Sequence, residues 1–263
     1  MKVKEIVDAL EHFAPLPLQE SYDNAGLQIG LTDAEVTGVL LCLDITEDII
    51  QEAVVQDCNL IISHHPLIFR GCKQITGRNL VERCILKAIQ AGIAIYSAHT
   101  NMDNAHGGVS FKMAEKLNLQ HVRVLQPEGV GAEEWNETGS GVLGELPTPM
   151  TESEFMAMLK QIFEVECLRH NLLKGREISK VALCGGSGAF LIEKAAEKGA
   201  DVFVTGEVHY HDFFDHEDIL LCEIGHYESE QFTKDLFRDV LRQLSPDLRV
   251  VLTKINTNPI KYL

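Results

Sequence analysis

Residues 59–70 read NLIISHHPLIFR, and the run places His64 and His65 side by side directly after a buried-strand pattern. Imidazole and carboxylate recur together further along the chain. HTNMD holds His99 and Asp103, TGEVHYHD holds Glu207, His209 and His211, and HYESE holds His226 and Glu230. Such mixed nitrogen and oxygen donors suit zinc, iron, manganese or nickel. Paired ions in such sites sit ~3.5–4 Å apart across a bridging carboxylate or hydroxide, and Asp103 is the candidate bridge. Consecutive residues of a regular strand face opposite sides, so His64 and His65 can both serve metals only past the strand end. Pro66 restricts His65 to extended conformations and helps the chain turn there. His226 and Glu230 are four apart, so a helix starting near His226 puts them on one face. The competing reading is a hydrogen-bonded polar crevice without metal. His12, His106, His121, His170 and His216 lie elsewhere and are assigned no role.

The elements that must position these groups follow from periodicity. Val3, Ile6, Val7, Leu10 and Phe13 have helical spacing over residues 2–13, and Pro15 and Pro17 end that helix. EVTGVLLCLD is a strand, and Thr46 is an N-cap for a helix reaching Asp57 or Cys58. The strand before His64 comes next, then a helix with capping-box spacing at Asn79 and Glu82 that Gly92 ends. IAIYSAHTNMD is a further buried strand and GVSFKMAEKLNL a helix. Residues 122–178 are less patterned. PEGVGAEEWNETGSGVLGEL reads as a hairpin or ordered loop, and Thr151 with Glu154 opens a helix. Then KVALCGGSG, DVFVTGEVHYHD and ILLCEIGHYESE repeat the earlier order of apolar strands with polar ends, and LRVVLTKI closes the sheet. The expected class is α/β, as two similar lobes with mainly parallel sheets, 1–125 and 126–263, without an inserted domain. The chemistry-bearing residues fall at the carboxyl ends of strands, where ligands collect in such sheets.

The chain has 263 residues, enough for a substantial core. Its formal charge of −16 opposes binding to nucleic acid or to an anionic membrane surface, and no apolar run reaches membrane-spanning length. Seven cysteines without a CxxC pair read as free thiols in a reducing compartment, so a cytoplasmic protein is expected. CGGSGAF reads as a tight strand-to-helix turn, with an anion cradle as the competing reading and no GxGxxG spacing. Residues 66–87 carry Arg70, Lys73, Arg78, Arg83 and Lys87 against Glu82 alone. That stretch is either a solvated face or the approach for a phosphate-bearing substrate.

SYDNAGLQIG, SHHP, HTNMD, TGEVHYHD, GHYESE and NTNPIKYL together resemble the family of GTP cyclohydrolase 1 type 2 homologs, the Nif-three-like family, from about residue 20 to the C-terminus. The resemblance implies two similar α/β lobes with a pair of metal ions in the cleft between them, and a hexameric ring built as a trimer of dimers. It implies His64, His65, Asp103, His226 and Glu230 as metal ligands, and His99 as a neighbouring group or proton shuttle. Glu207 stands where many members have Asp. The expected function is a metal-dependent hydrolase acting on a nucleotide or related phosphate compound. His99 or His209 would move protons, and Arg70, Lys73 and Arg78 would hold phosphate. The alternative is a non-catalytic, ring-forming metal-binding protein that engages a partner or carries metal.

Overall fold

Four-residue runs with every side chain buried form the middle of the first sheet, and short polar turns deliver the histidines at their ends. The structure is a computed structural model that describes residues 1–127 and 138–263. In chain order its strands are β1 (Gly26–Ile29), β2 (Val39–Cys42), β3 (Leu60–Ser63), β4 (Ala94–Ser97), β5 (Gln120–Pro127) and β6 (Gly139–Thr151). They continue with β7 (Arg169–His170), β8 (Glu177–Cys184), β9 (Val202–Thr205), β10 (Leu220–Glu223) and β11 (Val250–Leu252). Among the described residues these make two sheets, ordered β1-β4-β3-β2-β11 and β5-β6-β8-β9-β10-β7. The class is α/β, and each sheet has a parallel centre.

The first unit comprises Met1–Ala105 and Phe232–Pro259. β2, β3 and β4 pair in parallel, β11 joins β2 in parallel, and β1 lies antiparallel on β4. β2, β3 and β4 are buried at every residue, which explains their unbroken apolar runs. The helices Glu47–Val55 and Leu80–Ala91 bring Ile49, Ile50, Ala53, Cys84, Ile85 and Ala88 into one cluster with Leu40, Ile61 and Ile95. Each fully buried aliphatic side chain of this kind contributes about 1.5–3 kcal/mol. Thr46 caps the first helix by accepting from the Ile49 N–H at 3.3 Å, and Asn79 caps the second by accepting from the Glu82 N–H at 2.9 Å. Gly92, with φ +66°, closes the second. The helix Val3–Phe13 buries Val3, Ile6, Val7 and Leu10 and lies against the helix Thr233–Leu244.

The second unit comprises His106–Gln231 and Ile260–Leu263. β8, β9 and β10 are parallel, whereas β5–β6, β6–β8 and β7–β10 are antiparallel. Its core joins Leu125, Leu143, Ala182, Ile192, Phe203 and Leu221. Thr151 and Glu154 form the expected capping box of the helix Glu152–Ile162. β5 and β6 flank the glycine-rich stretch as an antiparallel pair, and residues 128–137 of that stretch lie outside the described residues. The chain is not divided at 125/126. The helix Val109–Lys116 and β5 belong to the second unit, and residues 232–259 return to the first. The return is driven by β11 pairing with β2 and by the apolar face of the helix Thr233–Leu244, which buries Leu236, Phe237, Val240 and Leu241.

Candidate metal centre

β3 ends at Ser63, and the next residues leave the ladder through main-chain bonds to the strand beside them. The His64 N–H donates to Cys42 O and the His65 N–H to Leu43 O. Once off the strand, the adjacent rings are free to diverge, and they sit 5.0 Å apart with planes inclined by 46°. β4 ends at Ser97, and His99 occupies the cap position of the helix Thr100–Asn104. The His99 ring lies 5.3 Å from that of His64 and 5.5 Å from that of His65. One ligand atom from each of His64, His65 and His99 falls within 4.8 Å of the others. Asp103 is on the same helical turn, its N–H donating to His99 O at 3.0 Å. Its Oδ1 is 3.6 Å from Nε2 of His64, whose side chain is fully buried.

Each of these rings is held by its Nδ1. His64 Nδ1 donates to Ala98 O at 2.9 Å, His65 Nδ1 to Asp44 Oδ1 at 2.7 Å, and His99 Nδ1 to Asp23 Oδ1 at 2.8 Å. A carbonyl or carboxylate accepts only, so Nδ1 carries a proton in each ring, and in the neutral ring Nε2 then keeps its lone pair. That tautomer is the one a metal ligand needs, and a carboxylate or carbonyl behind the imidazole is the usual device for fixing it. The carboxylates are themselves anchored. Asp44 Oδ2 accepts from Thr257 Oγ1 at 2.6 Å, and Asp23 Oδ2 accepts from the Thr100 N–H at 3.0 Å and from the Thr100 hydroxyl. Burial pushes the Asp23 carboxyl up, but the bonds from His99 and Thr100 outweigh it and hold the group at about 2. Burial likewise acts upward on Asp44 and is outweighed by His65 and Thr257, so its carboxyl is lowered.

The second unit repeats the device. Gly225 precedes the helix His226–Glu230 with φ +95°, and a Cβ there would collide with the Glu228 carboxylate. His226 Nδ1 donates to Glu207 Oε1 at 2.9 Å, while its Nε2 lies 3.1 Å from Glu230 Oε2. A neutral imidazole has one N–H. The ring is therefore an imidazolium between two carboxylates, or Nε2 and Oε2 face a common cation. Ligand atoms about 2.0–2.1 Å from one ion stand roughly 2.9–3.4 Å apart, which matches the Nε2–Oε2 separation. Glu230 is 3 % exposed and backed by the turn after β8. Gly186 there has φ +60°, and a Cβ would collide with Glu230 Oε1. Two N–H groups of the turn are spent within the protein: Gly186 donates to Ser229 Oγ at 3.0 Å and Gly188 to Thr205 Oγ1 at 2.9 Å. CGGSGAF is thus a tight turn supporting a carboxylate rather than an anion cradle.

The structure gathers His64, His65, His99 and Asp103 in the first unit, and His226, Glu230 and Glu207 in the second. His209 and His211 are exposed and not gathered with His226. The His209 N–H donates to Asp212 Oδ2 at 3.1 Å, and the His211 ring packs edge-on to Tyr210 at 5.4 Å. Sequence reasoning assigned no site role to Asp23, Asp44, Thr100 or Thr257. Asp44 follows β2 closely, so the strand-end argument applied to it as well. Asp23 and Thr257 lie within SYDNAGLQIG and NTNPIKYL.

Comparison with known proteins places this arrangement in a family. The profile of Duf34/NIF3 (NGG1p interacting factor 3) matches residues 1–259. A Lactococcus lactis protein named GTP cyclohydrolase 1 type 2 homolog is 35 % identical, with 98 % of each chain covered. Its Clostridium acetobutylicum namesake is 31 % identical over 100 % of this chain and 99 % of its own length. The crystal structure of a Staphylococcus aureus hypothetical protein superposes with a TM-score of 0.92 at 30 % identity, covering 100 % of this chain and 99 % of the other. The profile match over nearly the whole length, with full-length relatives above 30 % identity, makes this chain a member of the Duf34/NIF3 family.

Proposed function

We propose that this chain is a metal-dependent hydrolase acting on a nucleotide or related phosphate compound, with His64, His65, Asp103, His226 and Glu230 as the ligands of two divalent ions. The observation that carries the reading is the repeated anchoring of Nδ1 in His64, His65 and His226, which in the neutral ring leaves Nε2 as the donor atom of each. Imidazole with carboxylate suits zinc, iron, manganese or nickel. Bound ions of this kind lower the pKa of a coordinated water toward neutrality.

The protein's own groups then have distinct tasks. His99, oriented by Asp23 and bordering His64 and His65, takes up or gives a proton at Nε2. His209, an exposed side chain, is the second candidate for proton transfer. Arg70, Lys73 and Arg78 supply positive charge for phosphate in a chain of formal charge −16. All seven cysteines are free and five are buried, which supports a reducing, cytoplasmic setting. No helix among the described residues is long and apolar enough to cross a membrane. A hexamer built as a trimer of dimers is proposed from the family resemblance.

The test is metal analysis with a phosphatase and cyclohydrolase substrate screen, run beside a His65→Ala, Asp103→Ala double variant. Turnover that disappears in the variant supports the hydrolase. Turnover equal in both proteins overturns it. Metal binding without any turnover favours a ring-forming metal protein that engages a partner, a role in keeping with the family description as an interacting factor.

A further inference from the structure

The basic stretch after His65 separates into unlike groups once its contacts are known. Arg83 Nε and Lys87 Nζ each lie 2.6 Å from a Glu47 oxygen, so these side chains are spent on the neighbouring helix. Arg70, Lys73 and Arg78 instead line a cavity of about 700 Å³. Among the described residues neither Arg70 nor Lys73 has a hydrogen-bond or ion-pair partner. Arg78 Nη2 donates to Gln74 Oε1 at 2.9 Å and stays 3.8 Å from Glu82. Glu82 is the one acid lining the cavity, and its carboxylate is already saturated. It accepts from Thr76 N–H at 2.9 Å, Thr76 Oγ1 at 3.0 Å, Arg78 N–H at 3.0 Å and Asn79 Nδ2 at 3.0 Å. Those bonds shape the loop that carries the cations. The helix Leu80–Ala91 begins at the same wall, adding the positive end of its dipole.

The cavity also has an aromatic wall. Phe69 is 41 % exposed, a large apolar face left open to water. It stands edge-on to Tyr22 at 6.4 Å and to His99 at 6.0 Å. Phe69 therefore borders both the cationic cavity and the histidine cluster of the same unit. Cavities of about 300–1,000 Å³ hold small organic ligands. Loosely paired cations and an aromatic face lining the same cavity recognise a phosphate joined to a flat ring.

We propose that this cavity is a nucleoside-monophosphate subsite: Arg70 and Lys73 take the phosphate, Phe69 packs against the base, and the base is thereby held beside His99. The proposal rests on the hydrolase reading for its purpose but not for its test, because binding here needs no metal. Phosphate contacts by the Arg70 guanidinium and the Lys73 ammonium supply affinity, and that affinity falls as salt rises. The aromatic wall selects for a planar ring over a bare sugar phosphate.

The test is calorimetric titration of the full chain with GMP, guanosine and inorganic phosphate. GMP is expected to bind tighter than either fragment. An Arg70→Gln, Lys73→Gln double variant should bind GMP about tenfold or more weakly and leave guanosine unchanged. These side chains are exposed, so folding is expected to survive, and far-UV circular dichroism confirms it. Phe69→Ala should weaken GMP and guanosine and spare phosphate. Should that variant not fold, wild-type Cys72, an exposed thiol on the cavity wall, provides a second readout: GMP should slow its alkylation by iodoacetamide. His65→Ala should lose metal and keep GMP affinity within about twofold, which separates failure of this subsite from failure of the metal reading. The proposal is overturned if the double variant binds GMP as the wild type does, if GMP binds no better than inorganic phosphate, or if GMP leaves Cys72 alkylation unchanged.

Discussion

Removing Asp44 tests how far His65 depends on the carboxylate behind it. Asp44 accepts from His65 Nδ1 at 2.7 Å and from Thr257 Oγ1 at 2.6 Å, and its lowered pKa keeps it ionised at neutral pH. A hydrogen bond to a charged acceptor is worth about 1.5–3 kcal/mol. Loss of such a partner behind a metal-ligating histidine lowers metal affinity about 10–100-fold, or roughly 1.4–2.8 kcal/mol. The two estimates agree. Asp44→Asn keeps an oxygen that can accept from Nδ1 and loses only the charge, so it should fall near tenfold. Asp44→Ala loses the acceptor as well and should approach the hundredfold end. Competition for zinc against a chromophoric chelator reads both variants, with Asp48→Ala, an exposed carboxylate in the first turn of the helix Glu47–Val55, as control. If Asp44→Ala remains folded and binds zinc within about twofold of the wild type, the orienting role is refuted.

Further outcomes follow from the same contacts. Asp23 is held at about 2 against an ordinary 3.8, so the stability it contributes is complete above pH 4 and lost as pH falls toward 2. Urea titrations of wild type and Asp23→Asn should show a gap of at most about 2 kcal/mol at pH 6 that narrows on acidification, and a pH-independent gap contradicts the assignment. Gly186→Ala forces a Cβ onto Glu230 Oε1 at a left-handed φ of +60°. It should cost about 1–2 kcal/mol of backbone strain, read by thermal unfolding, and also weaken metal binding; an unchanged melting curve counts against the close approach. Glu82→Ala removes four hydrogen bonds from the loop before the helix Leu80–Ala91 and should speed limited proteolysis within residues 70–79. A digestion pattern identical to the wild type would show that Glu82 does not organise that loop.

Local signals were legible because the physics that uses them is local. β2, β3 and β4 announce themselves through four consecutive buried residues each. Thr46, Asn79 and Thr151 cap helices within three residues of themselves. The histidine and carboxylate clusters were visible because each falls at the end of such a strand or within one helical turn. The anchoring groups Asp23 and Thr257 were not, since they come from far along the chain. Asp23 is 76 residues from His99, and Thr257 is 213 residues from Asp44. The same limit hid the return of β11 to the first sheet, which depends on pairing between Val250–Leu252 and Val39–Leu41. Charge alone also failed to divide the basic stretch. Arg83 and Lys87 look like Arg70 and Lys73 in sequence, and only the fold brings Glu47 to the former pair.

The central claim is that imidazole Nε2 atoms and carboxylates of this chain hold divalent ions. Elemental analysis of the purified protein, followed by zinc titration of the chelator-treated chain, tests it most directly. The account predicts about two ions per chain in the wild type and a loss of both on His65→Ala, Asp103→Ala. A wild-type chain that binds no ion at micromolar concentrations, or a double variant that binds as much as the wild type, would contradict it.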